Sequence, residues 1–131
     1  MYLKLKFWKL WQRYIIGIFG HERQKYLIGK TSLNIKDIDF IEEELVKIGF
    51  QPDYFSFNDY GQITSMRIIY IDGLIDTSWR QVHVRVYEDS EVTVHDELTY
   101  EEDVDRHLKG DTLTTASPLI LDKIKETLKI E

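Results

Sequence analysis

The chain has 131 residues, no cysteine, 43% hydrophobic and 31% charged residues, and a formal net charge of −6. One hydrophobic core is expected at this length, and the lack of cysteine excludes disulfides, thiolate metal ligands and cysteine nucleophiles. Residues 1–30 carry seven Lys/Arg against Glu22, a net of +6, which leaves −12 on residues 31–131; the acidic body is therefore a poor general binder of nucleic acid.

The first predicted element is a basic, aromatic helix over residues 2–19. At helical spacing Leu3, Phe7, Trp8, Leu10, Trp11, Tyr14, Ile15, Ile18 and Phe19 form one broad apolar arc, with Lys6, Lys9 and Arg13 gathered opposite. Lys9, Gln12 and Arg13 break the apolar run, which argues against a secretory signal and against a spanning helix, since the latter needs roughly 18 uninterrupted apolar residues. So wide an arc exceeds what one side of a small domain usually covers. The expectation is a homodimer or protein partner contacted through Phe7, Trp8, Trp11, Tyr14, Ile15 and Ile18, with an anionic membrane surface as the alternative.

Residues 21–131 read as a single α+β domain, beginning with a connector from His21 to Lys30. Asn34 is placed to cap a helix near 35–48, with Ile38, Ile41, Leu45 and Ile48 on its buried face and Gly49 and Phe50 closing it in a left-handed cap. Four runs rich in β-branched and aromatic residues follow at 53–58, 62–72, 80–88 and 91–99, and predict a four-stranded antiparallel meander. Thr99-Tyr100-Glu101-Glu102 is a capping box for a short helix through Leu108 that Gly110 stops. Ser117 and Pro118 open a last helix over 118–129. The predicted order is α-α-β-β-β-β-α-α, with the helices mainly on one face of the sheet.

The densest chemistry lies on the hairpin formed by the last two runs. Val82, Val84 and Val86 alternate with His83 and Arg85, and Val92 and Val94 alternate with His95 and Glu97. With Asp89-Ser90-Glu91 as the loop, Val86 lies opposite Val94, His83 opposite Glu97 and Arg85 opposite His95. His83, Arg85, His95 and Glu97 then share a surface able to bind a ligand or metal, or to move protons. A solvated sheet face bearing ordinary cross-strand pairs is the simpler reading, and no metal ligand or catalytic residue is assigned from the sequence.

Other motifs carry less. His95-Asp96-Glu97 resembles the H-x-E of zinc deaminases, but the cysteine pair is missing. Gly29-Lys30-Thr31-Ser32 lacks the earlier glycine of a phosphate loop. The acidic run Asp96, Glu97, Glu101, Glu102, Asp103 and Asp105, with His107 four residues after Asp103, reads as a solvated helix face. The leading expectation is a non-enzymatic, cytoplasmic binding or assembly protein working through its amphipathic head. The competing one is a small enzyme or ligand or metal binder using the His/Arg/Glu cluster on an open sheet face; no cofactor is specified.

Overall fold

The computed structural model describes residues 23–54, 56 and 58–131, so the predicted helix over 2–19 and its contact residues lie outside the described part. A 3₁₀ turn, Arg23–Tyr26, leads into β1 (Leu27–Lys30), followed by α1 (Ile38–Lys47), β2 (Gln51–Pro52), β3 (Gln62–Asp72), β4 (Ser78–Tyr87), β5 (Glu91–Leu98), α2 (Val104–Lys109) and α3 (Pro118–Thr127). The fold is α+β, with one antiparallel sheet in the order β1-β5-β4-β3-β2. Three strands of the predicted meander are present as β3 to β5. Among the described residues, no helix is long and apolar enough to cross a membrane.

The sheet has five strands instead of the four expected, because part of the expected connector is a strand. Leu27–Lys30 pairs with the outer edge of β5 across an irregularity at Gly29. Gly29 has φ +139, and a Cβ there would meet Ile130 Cγ2 at 2.7 Å, so only glycine suits this crossing. Four residues interrupted by a glycine are too few to show a period of two. The strand expected at 53–58 is not formed by the described residues of that range, since Asp53, Tyr54, Ser56 and Asn58 lie outside any strand; a two-residue strand, Gln51–Pro52, precedes it instead.

The first two helices start later than expected, for identifiable reasons, while the last starts at Pro118 as expected. Asp37 rather than Asn34 caps α1, its side chain accepting from Phe40 N–H, while Asn34 accepts from Lys36 N–H just upstream. The Thr99 hydroxyl accepts from Glu102 N–H, but the turn it closes precedes α2, whose own cap is Asp103. The far end of α1 is as expected. Gly49 has φ +106, its N–H reaches Val46 O and that of Phe50 reaches Leu45 O, a Schellman ending with Phe50 buried beneath it.

The β4–β5 register differs from expectation by two residues. The turn is Glu88-Asp89-Ser90, with Ser90 left-handed at φ 75 and its N–H donating to Tyr87 O at 2.9 Å. Arg23 grips the turn from outside, reaching Asp89 at 2.6 Å and Glu91 at 3.0 Å while lying 3.7 Å over the Tyr87 ring. Val86 therefore faces Val92, Val84 faces Val94, His83 faces His95, Gln81 faces Glu97 and Arg85 faces Thr93. A slip of two residues leaves every side chain on its original face. The valine face packs with Met66, with Ile41 and Leu45 of α1, and with Ile124 of α3 in one core cluster. The two ten-residue helices thus cover the same side of the sheet.

Candidate functional site

The opposite face of β4 and β5 carries Gln81, His83, Arg85, Thr93, His95 and Glu97, and it is not the open, solvated surface expected. His83 is 1% exposed, His95 5%, Arg85 6% and Glu97 6%. Groups distant in sequence contribute to its surroundings. The Tyr26 ring lies 5.6 Å from the His95 ring, Asp53 Oδ2 is 3.5 Å from His83 Nε2, and His107 of α2 brings its Nδ1 to 3.8 Å from Glu97 Oε1. Alternation identifies which residues share a face but not whether that face is covered.

Three of the four expected site residues converge. His83 and His95 are cross-strand partners, and Glu97 is two residues beyond His95 on the same face. Glu97 Oε1 lies 3.4 Å from His95 Nε2 and 3.8 Å from His83 Nδ1. One ligand atom from each residue fits within a mutual separation of 4.8 Å. Tetrahedral coordination at about 2.0–2.1 Å sets neighbouring donor atoms roughly 3.4 Å apart, so the trio needs little adjustment to surround an ion. Arg85 does not join them. Its Nε donates to Gln62 Oε1 at 3.0 Å.

The two ring nitrogens facing this space lack hydrogen-bond partners. His83 Nδ1 and His95 Nε2 are both buried and unsatisfied. Leaving such atoms unmet in the interior costs about 1–3 kcal/mol each. On its other side the His83 ring is held, with Nε2 against the Ser65 hydroxyl and near the Asp53 carboxylate. With the ring proton on Nε2, donated to these oxygens, the Nδ1 lone pair is presented on the Glu97 side, the outer-shell arrangement usual for a ligating histidine.

Glu97 is oriented by a chain of charged and amide groups. Gln81 Nε2 donates to Glu97 Oε1 at 2.8 Å, Gln81 Oε1 accepts from Arg67 at 2.9 Å, and Arg67 forms a two-pronged pair with Glu101 at 2.9 and 2.8 Å. Gln81, Arg67 and Ser65 occupy the same odd-numbered face as the histidines, and that parity was the available sequence signal for them. His107 comes from α2 and donates from Nδ1 to Leu98 O at 2.9 Å rather than pairing with Asp103.

The expected acidic helix face therefore divides. Asp96 and Glu97 are buried on opposite faces of β5, with Asp96 held by Arg80 at 2.6 Å and by the Tyr70 hydroxyl at 2.5 Å. Glu101 pairs with Arg67, Glu102 accepts from Trp79 N–H and Asp103 caps α2.

Burial fixes the charge states. It pushes the His83 imidazole well below its ordinary value, and the positive charges of Arg85 and Arg67 add to the effect. Burial also lowers His95, with Glu97 opposing. For Glu97, burial acts upward, but the imidazole of His95 beside it and the hydrogen bond from the Gln81 amide hold it below the usual carboxylate value. At neutral pH the trio is two neutral imidazoles and a carboxylate, the protonation state in which all three coordinate metal.

The chain matches no protein-family model, and comparisons with curated proteins and with solved structures find no similar protein.

Proposed function

We propose that this protein binds one divalent transition-metal ion of the zinc class through His83 Nδ1, His95 Nε2 and a carboxylate oxygen of Glu97. The observation that carries the reading is the pair of buried, unpartnered imidazole nitrogens flanking a single carboxylate oxygen at 3.8 and 3.4 Å. It develops the ligand- or metal-binding alternative drawn from the sequence, which assigned no metal ligand. Arg85 acts in it through charge, helping to keep His83 unprotonated.

Two imidazoles and one carboxylate, with no sulfur, suit zinc and iron(II) and disfavour copper(I). Three protein ligands leave a fourth coordination position for water. Each ligand residue is almost wholly buried, so the ion's role is to join β4 to β5 and to neutralise an interior carboxylate. Ligand binding to the folded state alone stabilises it by about 2.7 kcal/mol at a free concentration 100 times Kd.

The test is metal content and thermal stability of the intact chain. After chelator treatment and return of zinc, one equivalent should remain bound and the melting temperature should rise. His95→Ala and Glu97→Gln should each abolish both effects, whereas His21→Ala should preserve them. Failure of the intact chain to retain zinc, or retention unchanged in both site variants, would overturn the proposal.

A further inference from the structure

The two-residue strand β2 covers only part of β3. Gln51 pairs with Arg67, Pro52 pairs with Met66, and Asp53 N–H donates to Ser65 O at 3.0 Å. Beyond Arg67, β3 continues through Ile68, Ile69, Tyr70, Ile71 and Asp72, each paired with β4 on the inner side. Among the described residues no strand lies on the outer side of these five. Exposed edges are normally blunted by lysine, proline or a bulge. This segment has no lysine or proline, and the irregularity in β3 lies at the other end, between Gln62 and Thr64. Ile71 is 61% exposed and its β4 partner Trp79 is 46% exposed.

We infer that the outer edge of β3 pairs antiparallel with the same edge of a second copy of this chain, about a two-fold axis passing through Tyr70. This inference does not depend on the metal site. Full pairing of the free five-residue segment with itself sets Tyr70 opposite Tyr70, and any shift strands backbone groups or collides with the place taken by Gln51. In that register Ile69 of one copy faces Ile71 of the other. Ile69, Ile71 and Trp79 share a face of the sheet, so an apolar stripe runs unbroken across the junction. Each Asp72 falls opposite Ile68, which keeps like charges apart although residues 31–131 carry a net −12. Backbone hydrogen bonds supply the contact and the isoleucines its register. Symmetry makes the interface self-complementary.

The mass of the intact chain should be that of a dimer in sedimentation equilibrium. Ile71→Lys should weaken association by about tenfold or more, because it places two lysines in the junction, while leaving the circular dichroism spectrum intact. Since the chain has no cysteine, Tyr70→Cys introduces a single thiol. Directly opposed residues in an antiparallel pair have Cα atoms about 4.5–5.5 Å apart, within disulfide reach, so mild oxidation should link that variant into a covalent dimer. Leu74→Cys, at the exposed hairpin tip, should remain unlinked under the same conditions. A chain that is monomeric at all concentrations would overturn the inference. So would a dimer unaffected by Ile71→Lys and unlinked through Tyr70→Cys, a result that would place the contact elsewhere, as on residues 2–19.

Discussion

His83 and His95 face one another directly across the β4–β5 ladder, their rings edge to face with centroids 5.1 Å apart. Facing positions on adjacent strands hold two imidazoles at this distance without any loop to order. Their unpartnered nitrogens border the same oxygen of Glu97, two residues along β5. Sites carried on strands are held more closely to a working geometry than sites on loops.

The sign of the pH dependence follows from the histidines. Burial lowers both imidazoles in the folded state, whereas the unfolded chain takes up protons near the ordinary value of 6.5. Stability is therefore fully present above about 6.5 and declines as pH falls below it, because the unfolded state binds more protons. Glu97 and Glu101 are also held below their ordinary value of 4.5, so a second loss begins below that point. Urea denaturation from pH 8 to 4 should show a plateau followed by this decline; stability that rises on acidification to pH 5 would contradict the assignment.

Removing the hydroxyl behind His83 should weaken zinc binding without changing its stoichiometry. In Ser65→Ala the ring loses a hydrogen-bond partner for Nε2 but keeps its neighbour Asp53. Loss of an outer-shell partner typically costs 10–100-fold in metal affinity. Competition against a chromophoric chelator measures it, with one equivalent still bound at saturation.

Tyr87→Phe should destabilise the fold by about 1–3 kcal/mol, since it removes a buried hydrogen bond to a carboxylate. The Tyr87 hydroxyl donates to Asp59 Oδ2 at 2.7 Å; Tyr87 is 0% exposed and Asp59 4%. The midpoint of urea unfolding should fall at unchanged slope. Zinc stoichiometry should be unaffected, because neither residue is a proposed ligand.

Ionisation of Tyr70 should begin only at strongly alkaline pH. Burial, then the hydrogen bond to Asp96, pushes its phenol up to about 12. The unfolded chain ionises nearer 10, so the contribution present below pH 10 is lost as pH rises toward 12. Difference absorbance of Tyr70→Phe against the parent chain isolates this transition.

Apolar period made three strands of the meander, both ten-residue helices and the shared face of His83, Arg85, His95 and Glu97 legible in the sequence. Register was not, because the valines at 82, 84 and 86 find two apolar partners in either pairing, Val94 and Leu98 in the expected one and Val92 and Val94 in the observed one. The deciding feature, Ser90 in a left-handed turn, carries no glycine to announce it. Burial of the polar face was also hidden, since Tyr26, Asp53 and His107 reach it from three separate segments. The acidic run concealed a change of element. Asp96 and Glu97 belong to a strand and point to opposite sides, whereas Asp103 begins a helix.

The central claim is tested most directly by long-range proton–nitrogen correlation spectra of the histidine rings during zinc titration. One equivalent should shift Nδ1 of His83 and Nε2 of His95 together into the range of metal-bound imidazole, with His107 keeping the protonated Nδ1 that bonds Leu98 O. Unchanged His83 and His95 rings at saturating zinc, or shifts confined to His21 and His107, would contradict it.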